Sequence, residues 1–169
     1  MTLRDSEKRV TTLEEAQSRV KAARAEGKTI VSTNGCFDII HAGHVACIEI
    51  AKGYGDFLVV GVNTDESVRR LKGPGRPVNP LDERMLVLAG LRAVDVVCSF
   101  PDDTSVPFVR AIGPDVHVKG GDYAVEDMPE AKAVAEVGGR IELAPLIGGR
   151  STTNLLDKIN DLFASGRLP

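Results

Sequence analysis

The stretch STNGCFDIIHAGHV, residues 32–45, decides how the chain folds, because it joins a strand pattern to a helix pattern through a glycine turn. TIVSTN at residues 29–34 is short and rich in β-branched side chains, which is typical of a strand. AGHVACIEIAKGYG at residues 42–55 has the pattern of a helix that ends at a pair of glycines. His41 and His44, two of only three histidines in the chain, lie where the turn meets this helix. Their placement points to chemistry at the turn.

The same alternation of strand and helix patterns continues to the end of the chain. A leading helix is predicted over residues 12–27, because Thr12 and Glu15 have capping-box spacing and Gly27 is a helix stop. Helix patterns separate five predicted strands, which are TIVSTN, DFLVVGVN, VDVVCSF, DVHVKG and RIELAP. Such alternation favours right-handed crossovers between parallel strands. We therefore predict an α/β fold, a Rossmann-like doubly wound five-stranded parallel sheet with helices on both faces.

Length and composition predict one domain. The 169 residues, 43% of them hydrophobic, can bury one substantial core and hardly two independent ones. We assign residues 1–169 to a single domain, in which residues 1–11 form an N-terminal extension without an assigned role. That extension is polar and charged, unlike a signal peptide. No run of residues has the length and hydrophobicity of a membrane span.

Charge and cysteine content narrow the choice of partner and compartment. With 21 Lys and Arg against 24 Asp and Glu, the net charge of −3 excludes the general basic surface of a nucleic-acid-binding protein. Cys36, Cys47 and Cys98 form no CxxC pair, so neither a zinc site nor a disulfide framework is predicted. Free thiols are typical of reducing compartments, so we expect a cytoplasmic protein. From its charge and hydrophobicity we expect it to bind neither nucleic acid nor a membrane.

The informative residues are expected at the strand-to-helix junctions, because ligands of a doubly wound sheet bind beyond the carboxyl ends of its strands. These junctions are NGCFDIIHAGH, NTDES, FPDDTS, KGGDY and GGRSTT. In the first, a helix beginning near Ala42 places His41 at its cap and His44 one turn on. Gly43 leaves room for a ligand, and helix amides together with imidazole donors suit a phosphate chain. The alternative is that one histidine is packed in the core and the other only caps the helix.

GCFDIIHAGHV resembles the signature G-x-F-D-x-x-H-x-G-H of the cytidylyltransferase-like nucleotidyltransferases, and the resemblance extends from about Thr29 to the final helix. Within that superfamily, LKGPGRPVN, VKGGDY and RSTT are most similar to the D-glycero-β-D-manno-heptose 1-phosphate adenylyltransferases. The resemblance implies transfer of AMP from ATP to the sugar 1-phosphate, which gives ADP-heptose and pyrophosphate. The sequence agrees, since it contains no G-x-S-x-G elbow and no Cys–His nucleophile pair. A sugar phosphate is already an ionised nucleophile and needs no general base.

The resemblance also implies roles for individual residues. The catalytic residues would be His41, His44 and Lys72, which would contact the phosphates and stabilise charge at the α-phosphorus. The nucleotide-binding residues would be Gly35, Cys36 and Phe37 through their backbone amides, and His41, His44, Lys119, Gly120, Gly121, Asp122, Arg150, Ser151, Thr152 and Thr153. The substrate-binding residues would be Asp38, Asn63, Arg76 and Arg84. Mg²⁺ is the implied cofactor, bound mainly through the ATP phosphates, and no residue is predicted as its ligand.

Several of these residues also have an ordinary structural interpretation. The basic segment RRLKGPGR is otherwise a solvated helix end and loop, and within it we prefer Lys72 for phosphate contact, with Arg76 as the alternative. Arg84 is otherwise a surface i,i+4 partner. Cys36 is assigned no thiol chemistry, because most free cysteines are packing residues. His117, in the middle of a strand pattern, is interpreted as a packed histidine.

Two other functions remain compatible with the sequence. One is a cytidylyltransferase for an alcohol phosphate such as glycerol 3-phosphate, which LKGPGRPVN and KGGDY disfavour. The other is a nucleotide-binding module without catalysis, which the combination of both histidines, Lys72 and RSTT disfavours. A homo-oligomer is expected, with a homodimer favoured. Whether ADP-heptose would serve lipopolysaccharide or another metabolite is left open.

Overall fold

The structure, a computed structural model, describes residues 3–121, 124–125, 128–145 and 151–168. Strands and helices alternate in it as the sequence predicts. The strands are β1 (Val10–Thr11), β2 (Ile30–Gly35), β3 (Phe57–Asn63), β4 (Val96–Phe100), β5 (Val116–Gly120) and β6 (Arg140–Ala144). The helices are α1 (Leu3–Glu7), α2 (Leu13–Ala25), α3 (Ala42–Lys52), α4 (Asp65–Lys72), α5 (Leu81–Ala89), α6 (Val106–Ile112), α7 (Ala131–Glu136) and α8 (Thr152–Ala164).

The strands form one parallel sheet, which confirms the predicted architecture. In the described part of the chain, six strands pair in the order β1-β4-β3-β2-β5-β6, and every pair is parallel. β2 is central: successive strands follow it outward to β3 and β4 on one side and to β5 and β6 on the other. A crevice forms at the carboxyl ends of the strands where the strand order reverses in this way. The fold therefore directs a ligand to the end of β2.

Helices cover both faces of the sheet. On one face, side chains of α3 and α5, such as Ile48 and Leu88, pack in one apolar cluster with Val60 and other strand residues. On the other, α2, α6 and α7 contribute a second cluster that includes Val20 and Phe108. Burying a side chain of this size stabilises the fold by about 1.5–3 kcal/mol. Among the described helices, none combines the length and apolar character that a membrane crossing requires.

The N-terminal segment adds a strand that the sequence analysis did not predict. Residues 10 and 11 form β1, which pairs with β4 through Val10 opposite Val97, and this adds a sixth strand to the five predicted. Arg9 fixes the segment by donating from Nη1 to the carbonyl oxygens of Leu91 (3.1 Å) and Val94 (2.8 Å). A strand of two residues is too short to show alternating hydrophobicity, so the sequence pattern did not reveal it.

Local sequence does set the ends of the leading helix. Thr12 is its N-cap, with Oγ1 accepting a hydrogen bond from the backbone N–H of Glu15 at 3.2 Å, as the capping-box spacing predicts. The helix ends at Ala25, and Gly27 follows with a φ of +78°, a conformation that glycine adopts without strain. The predicted range of 12–27 thus differs from the observed helix only by its flanking residues.

Candidate active site

A cavity of about 730 Å³ opens at the carboxyl ends of the central strands. Its volume lies within the range of small-molecule sites. Each of the five junctions that we singled out in the sequence contributes to its wall. The wall includes residues 33–38, His41, His44, Asn63, Lys72, Arg76, 103–105, Lys119, Gly120, 128–130 and 151–153. The predicted catalytic residues are therefore brought together on one cavity.

His41 and His44 stack on each other at the N-terminus of α3. Their ring centroids are 3.9 Å apart and the ring planes differ by 24°. His41 is the N-cap of α3, and its Nδ1 accepts from the backbone N–H of Gly43 at 3.1 Å. Nδ1 of His44 accepts in turn from the backbone N–H of His41 at 3.4 Å. Because each Nδ1 is an acceptor, a neutral ring carries its proton on Nε2, which makes Nε2 a hydrogen-bond donor.

The surroundings of His44 keep its imidazole neutral. Burial, together with the neighbouring His41, lowers the pKa of His44 to about 4, although Asp38 opposes the change. Phe37 contributes to this burial, since its ring meets the ring of His44 edge-on with centroids 5.5 Å apart. At pH 7 His44 is therefore an uncharged N–H donor in the free protein. A bound polyphosphate would raise this pKa, because negative charge nearby favours the protonated imidazole.

Lys72 is distinguished from the other basic residues of its segment because it has no ion-pair partner in the part of the chain that the structure describes. Arg69 pairs with Glu66 at 3.2 Å, and Arg70 pairs with Asp103 at 2.7 Å. Arg76 lies on the cavity wall, but its Nε donates to the carboxylate of Asp38 at 2.5 Å. Lys72 also lies on the cavity wall and makes no ion pair with any described residue. Its charge is available to an anionic ligand, which supports our preference for Lys72.

Arg84 and Asn63 hold the junction together from beneath. The side chain of Arg84 is 0% exposed, and it donates to the carbonyl oxygens of Cys36, Asn63 (2.9 Å) and Asn79 (3.1 Å) and to the carboxylate of Asp65 (2.8 Å). It is not a surface i,i+4 partner, and this geometry favours a positioning role over the substrate contact that we expected. Asn63 lies on the cavity wall, but its Nδ2 donates to Ser67 and Asp102.

The end of β5 supplies a second cation to the cavity. Nζ of Lys119 lies 2.6 Å from Oε1 of Glu130 and donates to Oδ1 of Asn34 at 3.2 Å. Glu130, at the N-terminus of α7, is buried, and no sequence spacing pointed to it. Gly120 also lines the cavity, and a Cβ there would approach Sγ of Cys47 to 3.3 Å. Gly121, with a φ of +146°, instead donates its N–H to the carbonyl of Ala144.

His117, within β5, and Cys36, directly after β2, have structural rather than chemical roles. His117 is fully buried, as predicted, with Nδ1 2.7 Å from Oγ of Ser32. Burial raises the pKa of the Cys36 thiol, which keeps it protonated and a poor nucleophile. This agrees with the prediction that Cys36 has no thiol chemistry.

Asp122 and Arg150, both predicted to bind the nucleotide, lie outside the described residues.

The N-terminus of α8 forms the remaining wall. Ser151 is its N-cap and accepts from the backbone N–H of Asn154 at 3.0 Å. Oγ1 of Thr152 donates to the backbone carbonyl of Asp38 at 2.6 Å, which joins α8 to the histidine turn. Thr153 also lines the cavity. Backbone amides at this helix end are suited to a phosphate group.

The described part of the chain contains no cluster of three or more His, Cys, Asp or Glu side chains arranged to hold a metal ion. The described carboxylate side chains on the cavity wall, Asp38, Asp103 and Glu130, are already paired with Arg76, Arg70 and Lys119. This donor set fits an ion that is carried by phosphate oxygens and water more than by protein ligands.

Residues 32–158 match the family described as Cytidylyltransferase-like. The chain belongs to this family. The Cytidylyltransferase-like match begins in β2 and ends in α8, so it contains the histidine turn, the basic segment and the α8 N-terminus. The resemblance inferred from the sequence is thereby confirmed.

Curated relatives of this Cytidylyltransferase-like chain are much longer proteins. Bifunctional protein HldE of Vibrio vulnificus (strain YJ016) is 55% identical over 140 residues, which are 83% of this chain and 29% of that protein. Bifunctional protein HldE of Pseudomonas fluorescens (strain SBW25) is 50% identical over 156 residues, which are 92% of this chain and 33% of that protein. The chain therefore spans about a third of the length of these relatives.

Solved structures share the Cytidylyltransferase-like architecture. The lipopolysaccharide core biosynthesis protein from Thermoplasma volcanium GSS1 superposes with a TM-score of 0.58 at 27% identity, over 71% of this chain and 97% of that one. Pantoate-beta-alanine ligase from Francisella tularensis superposes with a TM-score of 0.56 at 13% identity, over 85% of this chain and 68% of that one. The second likeness shows the fold alone.

Proposed function

We propose that the chain is an adenylyltransferase that transfers AMP from ATP to D-glycero-β-D-manno-heptose 1-phosphate, giving ADP-heptose and pyrophosphate. The observation that carries the proposal is the stacked pair of His41 and His44, whose Nδ1 atoms accept backbone N–H groups and so leave Nε2 as the donor. The same cavity presents Lys72, which has no ion-pair partner among the described residues. This is a site for a polyphosphate. The identity of 50–55% to proteins named bifunctional supports one of two activities residing in this third of their length.

The proposed chemistry needs positioning and charge stabilisation more than proton transfer. An oxygen of the sugar 1-phosphate attacks the α-phosphorus of ATP, the bond from that phosphorus to the bridging oxygen breaks, and pyrophosphate leaves with the electron pair. The nucleophile is ionised, so no base must deprotonate it. His41 and His44 would donate to oxygens at the α-phosphorus, where charge is redistributed in the transition state. Lys72 would neutralise the phosphate chain without moving a proton.

Mg²⁺ is proposed as the ion that accompanies ATP, and it would neutralise the charge of the leaving pyrophosphate. The paired state of Asp38 and Glu130 supports binding mainly through phosphate oxygens. Lys119, Gly120 and the α8 N-terminus are proposed as the nucleotide side of the cavity. Arg76 and Asn63 are proposed for the sugar phosphate side.

The sugar substrate is supported by two kinds of evidence. LKGPGRPVN and VKGGDY resemble the heptose branch, and a structural neighbour at 27% identity is a lipopolysaccharide core biosynthesis protein. The latter supports lipopolysaccharide as the destination of ADP-heptose. The second candidate function, a cytidylyltransferase for an alcohol phosphate, is favoured by the name of the family.

Nucleotide choice separates the two candidates. We expect kcat/KM for ATP to exceed that for CTP by at least about tenfold, a difference of ~1.4 kcal/mol that base shape and one or two hydrogen bonds can supply. Pyrophosphate release would be measured with heptose 1-phosphate and each nucleotide. Glycerol 3-phosphate as acceptor, and reactions without any acceptor, are the controls. Equal or better use of CTP would overturn the adenylyltransferase assignment.

We also propose a cytoplasmic homodimer. The free thiols support a reducing compartment. The dimer is supported by α8, which buries none of its described residues and exposes Phe163 by 68% and Ile159 by 47%. Apolar side chains so exposed are typical of an interface. Sedimentation equilibrium that reports a monomer at micromolar concentration would contradict this proposal.

A further inference from the structure

Asp38 is a charged residue of the cavity wall whose carboxylate is 0% exposed. Oδ1 accepts from the backbone N–H groups of Val78 (3.0 Å) and Asn79 (3.1 Å). Oδ2 shares the same N–H of Val78 (2.9 Å) and accepts from Nε of Arg76 (2.5 Å). Three donors from described residues therefore surround the carboxylate. Because the side chain is also fully buried, this geometry disfavours a contact with a hydroxyl group of a sugar, which is the contact that the family resemblance implies.

These contacts keep the carboxylate ionised although it is buried. Burial by itself would raise the pKa of Asp38, but the N–H groups of Val78 and Asn79 and the guanidinium of Arg76 outweigh it and hold the pKa below its usual value. The negative charge is therefore present at pH 7 and attracts the segment that carries Arg76.

The backbone on both sides of Asp38 is strained. Phe37 has a φ of +47° and Ile39 a φ of +51°, which is the left-handed region. This conformation costs roughly 1–2 kcal/mol for a residue with a side chain, and it is rare for a β-branched residue such as isoleucine. Such strain persists only where surrounding contacts hold it, and it is concentrated at functional sites. The hydrogen bonds of Asp38, which lies between the two strained residues, are among the contacts at this turn.

One residue thus joins three segments of the cavity wall. The side chain of Asp38 binds residues 76–79, and its backbone carbonyl accepts from Oγ1 of Thr152 at the start of α8. Asp38 itself lies three residues before His41. The histidine turn, the basic segment and the α8 N-terminus are therefore fixed relative to each other through a single carboxylate and its own carbonyl.

We propose that Asp38 is a positioning residue that acts through Arg76 and does not touch the substrate. It holds the guanidinium and the residues 76–79 in register with the two histidines, so that donors from separate segments face the same phosphates. A misplacement of about 1 Å at such a site can cost on the order of 10²-fold in rate. The proposal rests on the proposed function, because its main readout is turnover.

A double-mutant cycle of Asp38→Asn and Arg76→Ala tests the proposal, with pyrophosphate release from ATP and heptose 1-phosphate as the assay. Asparagine keeps the shape but loses the charge and turns one acceptor into a donor. We expect Asp38→Asn to lower kcat on the order of 10²-fold. The double variant should be no slower than the slower single variant, because both changes remove the same contact. Effects that multiply would mean that Asp38 acts on the substrate independently, and would overturn the proposal.

Asp115→Asn is the matched control. Asp115 also accepts from an arginine, Arg24 at 2.8 Å, and from a backbone N–H, that of Ile30 at 2.7 Å, but it lies at the opposite end of β5. We expect it to lower the melting temperature while kcat at 25 °C stays within about twofold of the wild type. If Asp115→Asn costs as much turnover as Asp38→Asn, the loss reflects general destabilisation and the positioning role is wrong.

Amide hydrogen exchange gives a readout that does not depend on the reaction. In Asp38→Asn, and not in Asp115→Asn, we expect faster exchange at the N–H groups of Val78 and Asn79. Unchanged protection at these amides would overturn the proposal even if turnover fell. A wild-type protein that exchanges as expected but does not turn over heptose 1-phosphate with ATP would sink the proposed function and leave the positioning contact demonstrated.

Discussion

His41 and His44 show how much a single residue's role depends on which ring nitrogen is engaged. Each Nδ1 accepts a backbone N–H, so each neutral ring has Nε2 as its donor. His41 caps α3, which agrees with the alternative that one of the two histidines is a helix cap. The stack of the two rings gives His41 a second role beside His44. The predicted helix start near Ala42 placed the cap at His41, whereas only the structure shows that the two rings stack.

Replacing His44 tests the donor role. We expect His44→Ala to lower kcat by on the order of 10²–10³ without loss of folding, because one charge-stabilising donor is removed. His44→Gln is the matched variant, since its amide N–H can reach the region of Nε2, and it should recover part of the loss. Turnover would be measured by pyrophosphate release and folding by circular dichroism. Near-normal turnover of the alanine variant would exclude the role.

At the scale of elements, the end of α4 and the loop that follows it carry basic residues that differ in whether they are free to bind an anionic ligand. Arg69 and Arg70 are paired with carboxylates on the protein surface, while Lys72 faces the cavity without an ion-pair partner among the described residues. Gly73, with a φ of +95°, ends the helix directly after Lys72 and turns the chain toward Arg76. The sequence shows four similar charges, and only their partners distinguish them.

Lys72→Ala and Arg69→Ala form a matched pair of variants. Both remove one positive charge from α4, but the charge of Arg69 is neutralised by Glu66 at the surface. We expect Lys72→Ala to lower kcat/KM for ATP on the order of 10²-fold, because the positive charge that stabilises the phosphates is lost. Arg69→Ala should change it by less than about twofold. Equal effects of the two variants would mean that only the general positive field matters.

At the scale of the whole molecule, folding excludes protons from two buried histidines. Burial, together with the nearby Lys119, lowers the pKa of His117 to about 3. Burial also accounts for most of the lowering of the pKa of His44 to about 4. The unfolded chain takes up protons at the ordinary histidine pKa near 6.5. Between these values the unfolded state binds more protons than the folded state, so stability falls as the pH is lowered.

The contribution of these two histidines to the free energy of unfolding is therefore expected to be constant above about pH 7 and to fall as the pH drops from 6.5 toward 4. Each of the two histidines contributes a slope of up to about 1.4 kcal/mol per pH unit. Urea denaturation at pH 7, 6 and 5 measures it, and His117→Asn should reduce the slope by removing one of the groups. Stability that does not change between pH 7 and 5 would contradict the buried, neutral state of these rings.

The sequence by itself determined the alternation of elements, the helix caps at Thr12 and His41, and the junctions that line the cavity. These features follow from patterns and contacts within a few residues, which the local sequence contains.

Only the tertiary structure decided which charges are engaged. Asp38 meets Arg76 across 38 positions and Arg84 meets Cys36 across 48, so their pairing depends on the path of the chain through the parallel sheet. For the same reason Glu130 was missed, and the sequence could not show that Lys72, unlike its basic neighbours, has no ion-pair partner among the described residues. The strand β1 was missed because two residues are too few to form a pattern. The type of a charged residue does not reveal whether its side chain is buried in an ion pair or free to bind a ligand, because the fold alone sets its surroundings.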